Sequence, residues 1–283
     1  MNATLNAVDH SRESAGLRYV YPVVSRRAGG VSVGINLNTN NACNWRCIYC
    51  QVPNLILGAA PSVDVKLLEQ ELRDFLHELL HGNFMQQRVP ENSRRINDIA
   101  LSGNGEPTSA NEFVQVIELV GNLINELSLP QDIKFILITN GSLLHRPHVQ
   151  DGLKLMAKNR GQVWFKFDRA SEHGMQVVNN TRLTIEHVRE NLTKSISLCP
   201  TWIQTCWFKL DVAAPDKRDE DDYLDFISGL LKDNIRPQGI MLYSLARPSQ
   251  QPEASRLASV SEPDMEAFAA RIRLLNIEVR VAA

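Results

Sequence analysis

A chain of 283 residues, 43% of them hydrophobic and with a formal net charge of −2, holds enough apolar material for one large core or two small ones. That balance excludes global disorder and a strongly basic nucleic-acid binder, while leaving room for a local basic groove. No run of about 18 apolar residues is present, so no membrane span is expected, and residues 1–18 lack the apolar stretch of a secretory signal. The expectation is a cytoplasmic protein with reduced thiols, in which clustered cysteines read as metal ligands before disulfides.

In chain order, residues 1–20 read as an N-terminal arm, followed by a turn at Ser25-Arg26-Arg27 and by Gly29-Gly30. Residues 31–37 alternate apolar and small side chains and read as a strand. Directly after it comes Cys43-Asn44-Trp45-Arg46-Cys47-Ile48-Tyr49-Cys50. Val65, Leu68, Leu72, Phe75 and Leu79 recur at helical spacing. A short strand over 98–102 runs into Gly103-Asn104-Gly105-Glu106-Pro107-Thr108, and a helix over 111–127 shows Phe113, Ile117, Val120 and Ile124 on one face. A strand over 134–139 ends at Asn140-Gly141 and precedes a helix over 147–159. Strand 162–168 contains Lys166 and Asp168 on one face. A helix marked by Ile185, Val188, Leu192 and Ile196 leads to a strand over 203–212, which carries Gln204 and Lys209. Helix 220–232 and strand 240–243 follow, the latter ending at Tyr243. Residues 246–261, rich in Pro, Ser, Gln and Ala, read as a long loop over the site. Ser261 is placed to cap a last helix with Met265, Phe268, Ile272 and Leu275, and 278–281 allow one final short strand.

Strand and helix thus alternate about six times, the pattern of an α/β protein with a parallel sheet and right-handed helical crossovers. Six units fall short of the eight of a closed barrel, so the expected fold is a partial (β/α)6 TIM-like barrel with its chemistry at the C-terminal ends of the strands. The expected division is an arm at 1–20, a core domain at 21–245 and a C-terminal extension at 246–283.

Three thiolates at the CxxxCxxC spacing of Cys43, Cys47 and Cys50 suit three irons of a four-iron cluster and leave one iron open to a non-protein ligand. Structural zinc generally needs a second pair of ligands. Here His77 and His81 lie on a separate predicted helix, and Cys199 and Cys206 are distant and single.

The cysteine loop, placed after the first predicted strand and with aromatic Tyr49 before its last cysteine, resembles the radical S-adenosylmethionine superfamily. The stretch from Ser25-Arg26-Arg27-Ala28-Gly29-Gly30 to Cys50-Gln51 is similar, more narrowly, to iron–sulfur oxidoreductases related to wyosine-synthesis and glycyl-radical-activating enzymes. The resemblance covers residues 25–247. It implies that Gly103, Asn104, Gly105 and Glu106 receive the methionine moiety of S-adenosylmethionine. An ordinary polar turn is the alternative for that stretch. Tyr49 would lie against adenine, and Trp45 would shield the cluster from water. Asn140, Lys166, Asp168, Gln204 and Tyr243 would line the cofactor site. For Asn140 a plain turn role serves equally well, and for Lys166 and Asp168 a structural pair does. Arg247 is either a clamp for an anionic substrate or a surface arginine.

The resemblance further implies a [4Fe-4S] cluster that reductively cleaves S-adenosylmethionine to a 5′-deoxyadenosyl radical, in an oxygen-sensitive enzyme fed by flavodoxin or ferredoxin. The substrate is left open among an RNA base, a protein or peptide, and a small molecule. Arg26-Arg27 and Arg94-Arg95 are only pairs of basic residues, so phosphate contacts to RNA are not favoured. The alternative from another class is a non-catalytic iron–sulfur or zinc-binding module.

Overall fold

The computed structural model describes Leu5, residues 15–25 and residues 29–282. The expected turn at Arg26-Arg27 and most of the expected arm lie outside the described residues.

The first two strands, β1 (Val20–Ser25) and β2 (Gly30–Ile35), form an antiparallel hairpin. The loop after β2 contains two short paired segments, β3 (Ala42–Cys43) and β4 (Ile56–Leu57). Two helices follow, α1 (Val65–His81) and α2 (Phe84–Arg88). The series continues with β5 (Ile96–Leu101), α3 (Phe113–Glu126), β6 (Lys134–Thr139), α4 (Pro147–Lys158) and β7 (Gly161–Lys166). Next come α5 (Glu172–Asn179), α6 (Ile185–Leu198), β8 (Thr201–Cys206), β9 (Phe208–Leu210) and α7 (Lys217–Lys232). The chain ends with β10 (Gly239–Tyr243), β11 (Leu257–Ser259), α8 (Glu262–Arg273) and β12 (Val279–Ala282).

The main sheet has the order β1-β2-β5-β6-β7-β8-β10-β12, and every pair after the first is parallel. The expected α/β part-barrel topology is therefore present, with the hairpin strand β1 on one side and β12 on the other. Helix α1 packs beside α3, α3 beside α4, α4 beside α6, and α7 beside α8. Asp64, Ser171, Thr184, Asp216 and Ser261 accept from backbone N–H groups in the first turns of their helices. Among the described residues no helix is long and apolar enough to cross a membrane.

Strand parity fixes what reaches the interior. On β7, Val163 and Phe165 join the apolar core, and Phe167 beyond them stacks near Tyr223 and Phe226 of α7. Lys166 and Asp168 point the opposite way, as the alternation of a strand requires. On β8 the Thr205 hydroxyl bonds Tyr223 of α7, which turns Gln204 to the same side as its register partners Lys166 and Met241.

Two expectations need correction. The strand read at 203–212 is two strands: β8 stops at Cys206, and β9 leaves the sheet to pair with β11. Lys209 therefore lies on the β9–β11 ribbon and not beside Gln204. The chain turns at Trp207, whose ring stacks on Phe268 of α8. The long loop of 246–261 contains β11 and a short 3-10 turn at Ala254–Arg256.

Candidate active site

The cysteine loop is built in three stages. Its entry is tied to the next strand's end by amides. Asn36 Oδ1 accepts from the backbone N–H of Asn38 (3.1 Å) and of Asn104 (3.0 Å), and Asn38 Nδ2 donates to the Ala42 carbonyl (2.8 Å). Against this entry packs the Gly103–Gly105 turn. A Cβ on Gly105 would sit 1.9 Å from the Ala42 carbonyl oxygen, and one on Gly103 would sit 2.3 Å from Asn36 Oδ1. Both glycines are thus demanded by contact with the chain's own loop, whatever ligand lies near.

The middle of the loop is held by the C-terminal end of α5. Ile48 N–H donates to the Val178 carbonyl (2.9 Å), Asn179 Nδ2 to Cys47 Sγ (3.3 Å) and Asn180 Nδ2 to the Arg46 carbonyl (2.8 Å). The far side is held by residues 247–253. Ser249 Oγ donates to the Ile48 carbonyl (2.7 Å), Gln250 N–H to the Cys50 carbonyl (2.9 Å) and Gln251 Nε2 to the Val52 carbonyl (2.9 Å). Arg46 forms a two-pronged pair with Glu253, and Arg247 donates to Gln51 Oε1 (2.9 Å). Arg247 is therefore tied to the cysteine loop. The 246–261 stretch lies over that loop.

Cys43, Cys47 and Cys50 are free and half-buried, and Trp45 between them is buried. Burial pushes the Cys43 and Cys47 thiols up to about 12, so both are neutral thiols at neutral pH. That makes them poor free nucleophiles and suits ligands that lose their protons only to a metal. Among the described residues no three His, Cys, Asp or Glu side chains converge closely enough for a single metal ion. Cys47 and Cys50 nonetheless lie near enough to Cys43 to raise its thiol further. A donor set spread in this way around one loop fits a polynuclear iron–sulfur group.

Glu106 is 2% exposed, and its carboxylate is used inside the protein. Oε1 accepts from Thr108 N–H (3.1 Å), Thr108 Oγ1 (2.6 Å) and Thr139 Oγ1 (2.7 Å), while Oε2 accepts from Asn140 N–H (2.7 Å). It locks the ends of β5 and β6 together. Asn140 is likewise engaged. Its Oδ1 accepts from Ser142 N–H and Oγ, and its Nδ2 donates to Asn44 Oδ1 (2.8 Å) inside the cysteine loop. Asn104 differs: its Oδ1 is buried with no hydrogen-bond partner among the described residues. A buried acceptor of this kind fits a cationic donor such as an ammonium group.

The remaining sequence candidates meet beside Cys47. Asp168, 2% exposed, accepts from Tyr49 OH (2.5 Å), Asn179 Nδ2 (2.7 Å) and Cys206 N–H (2.8 Å). Burial and the Asp168 charge hold the Tyr49 phenol well above its ordinary value, so it stays protonated and donates. Lys166 Nζ lies 4.8 Å from the Tyr49 ring centroid and donates to Tyr243 OH (3.2 Å). Burial by itself would lower the Lys166 ammonium; the acidic groups around it, Asp168 among them, outweigh it and hold it above its ordinary value. Gln204 lies beside Lys166 across the β7–β8 register.

Sequence reasoning placed Tyr49, Lys166, Asp168, Gln204 and Tyr243 near one another but missed Asn36, Asn38, Asn44, Asn179, Ser249 and Gln251. The one sequence signal was the density of asparagine around the first cysteine, at positions 36, 38, 40, 41 and 44. Polar amides in a loop destined for burial mark a hydrogen-bonded framework.

No protein-family model matches the chain. Over 133 residues it is 31% identical to GTPase Obg of Brachyspira hyodysenteriae, a match covering 47% of this chain and 17% of that protein. Over 134 residues it is 29% identical to a UPF0026 protein of Helicobacter pylori, covering 47% and 38%. The match thus spans well under half the length of these curated relatives. The match covers 17% of the GTPase, and that name is said of that protein alone. A UPF0026 protein of Synechocystis is 25% identical over 235 residues, covering 81% of this chain and 76% of that one. Among solved structures, SuiB of Streptococcus suis bound to precursor peptide SuiA has a TM-score of 0.59 at 9% identity, covering 90% of this chain and 49% of that one. A radical SAM methyltransferase of Sphaerobacter thermophilus has a TM-score of 0.58 at 12% identity, covering 89% and 66%. The enzyme anSMEcpe, bound to AdoMet and a peptide, has a TM-score of 0.53 at 16% identity, covering 88% and 63%. The resemblance first seen in the cysteine loop extends to the architecture: this chain has the fold of the radical S-adenosylmethionine enzymes.

Proposed function

We propose that this chain is a radical S-adenosylmethionine enzyme in which Cys43, Cys47 and Cys50 hold a [4Fe-4S] cluster. The observation that carries the reading is the CxxxCxxC loop itself, pinned from three sides at the C-terminal ends of the part-barrel strands. When bound, the cluster supplies the one-electron cleavage of S-adenosylmethionine that generates a hydrogen-abstracting 5′-deoxyadenosyl radical. Flavodoxin or ferredoxin is the donor class for that electron.

The chain's own residues perform the positioning. The Asn104 amide oxygen offers an acceptor to the ammonium of the cofactor. Lys166, Gln204 and Tyr243 present polar groups from β7, β8 and β10 on the same side as Asp168, with Tyr49 bonded to it. Glu106 and Asn140 keep the β5 and β6 ends in register beneath the loop. Trp45 and the 246–261 stretch limit the access of water to the cysteines. The substrate is an RNA base, a protein or peptide, or a small molecule. SuiB and anSMEcpe, each solved with a peptide, support keeping a peptide in that set.

Anaerobic purification followed by iron, sulfide and zinc analysis tests the reading, with dithionite and S-adenosylmethionine added afterwards. Release of 5′-deoxyadenosine is the expected result. Stoichiometric zinc without iron would instead establish a non-catalytic module. Cys47→Ala is expected to keep the fold by circular dichroism and to lose cluster assembly and cofactor cleavage together. A Cys47→Ala protein that still cleaves S-adenosylmethionine would sink the proposal.

A further inference from the structure

We infer that Asn179 is a positioning residue that sets the electronic environment of one cluster ligand, Cys47; this rests on the cluster assignment above. Asn179 is 1% exposed and ends α5. Its side-chain nitrogen lies 2.7 Å from Asp168 Oδ2 and 3.3 Å from Cys47 Sγ. Chemistry fixes the orientation of this amide. Asp168 as a carboxylate only accepts, so the NH2 end of Asn179 must face it. Asp168 is itself immobilised by Tyr49 OH and the Cys206 N–H. The second N–H of the same nitrogen is then directed at the sulfur.

This contact distinguishes Cys47 from its partners. Among the described residues, neither Cys43 Sγ nor Cys50 Sγ has a side-chain donor; Cys43 Sγ accepts from the Trp45 backbone N–H, and its thiol donates to Asn44 Oδ1. A donor on a ligating sulfur favours the more negative, reduced state of an iron–sulfur group and raises its potential. Asn179 also stands between that sulfur and the Asp168 carboxylate, whose charge acts in the opposite sense. The amide therefore moderates, at one ligand, how strongly reducing the site is. Asn180, next in the chain, holds only the loop backbone through the Arg46 carbonyl and adopts a left-handed conformation with φ 51° that glycine tolerates.

The test is a redox titration followed by electron paramagnetic resonance on anaerobically reconstituted wild type, Asn179→Leu and Asn180→Gly. Leu matches the shape of Asn and lacks its donor. The expected result is a lower midpoint potential in Asn179→Leu and an unchanged one in Asn180→Gly. An unshifted Asn179→Leu, or an equal shift in Asn180→Gly, overturns the inference and leaves the cluster assignment standing. A wild-type chain that assembles no iron–sulfur cluster overturns both. Should Asn179→Leu fail to fold or to hold iron, wild type with side-chain 15N-labelled asparagine decides. Electron–nuclear double resonance is expected to detect a coupled side-chain nitrogen, and its absence overturns the inference.

Discussion

Replacing Glu106 by Ala is expected to lower stability by about 3–5 kcal/mol, the largest loss for any single side chain at the site. The value follows from four donors left without an acceptor in a dry environment, at about 1–3 kcal/mol for each buried group that finds no new partner. The two hydroxyls, on Thr108 and Thr139, can rotate toward other acceptors; the backbone N–H groups of Thr108 and Asn140 cannot. Glu106→Gln separates geometry from charge. Its amide oxygen can still serve the Thr108 and Thr139 groups. Its NH2 would then face the Asn140 N–H, donor against donor. Gln is therefore expected to restore only part of the loss, measured as the midpoint of denaturant unfolding.

The pH dependence of the same variant has a definite sign. Burial raises the Glu106 carboxyl above 4.5, against the pull of its hydrogen bonds. A carboxyl raised on folding binds protons more tightly in the folded chain than in the unfolded one. Its contribution is fully present below the unfolded value and is lost as pH rises through the folded value. The stability difference between wild type and Glu106→Gln should therefore narrow as pH climbs from 4.5 upward. A difference that widens over that interval would show that the carboxylate, and not the carboxylic acid, is favoured by the fold.

Gly105→Ala is expected to spare the sheet and disable the loop. The new methyl would lie 1.9 Å from the Ala42 carbonyl oxygen and 2.6 Å from Asn38 Nδ2. A backbone carbonyl cannot swing aside by itself, so residues 42 and 43 must move together. Overpacking of this kind costs about 1–3 kcal/mol. Because the displaced segment carries Cys43, iron content after anaerobic reconstitution should fall sharply while far-ultraviolet circular dichroism is retained. Gly58→Ala is the control: its methyl meets Ala42 Cβ at an ordinary 3.5 Å. It should stay within about 0.5 kcal/mol of wild type. Full iron binding by Gly105→Ala would refute this account of the glycine.

The helical periodicities at 65–79 and 113–124, and the cap at Ser261, read correctly because they are local patterns. Strand β1 escaped notice because Pro22 interrupts Val20-Tyr21-Pro22-Val23-Val24-Ser25, and residues 20–24 are all buried, leaving no alternation. Such a proline is tolerated because, among the described residues, β1 pairs with β2 alone and lies at the edge of the sheet. The break at Trp207 was hidden inside Cys206-Trp207-Phe208, where nothing in the sequence marks that a strand has left its sheet. The cysteine loop stood out because its CxxxCxxC spacing is written within eight residues. Asn179 and Ser249 were not, because each meets the loop across 132 and 201 positions of sequence respectively. The Gly103–Gly105 turn stood out in the sequence as a place for a ligand; the structure adds that Gly105 meets the Ala42 carbonyl and Gly103 the Asn36 side chain.

Those sequence separations bear on how the protein is made. During synthesis the thiols leave the ribosome long before the α5 end is available, and longer still before Ser249 and Gln251 emerge. Until then the loop has its amide-tied entry and no outer bracket. Contacts of such long range are also the slow ones to form, since a large loop must close before they reward it. Order is thus imposed by topology: residues 249–251 must be made before the three thiols share a fixed geometry.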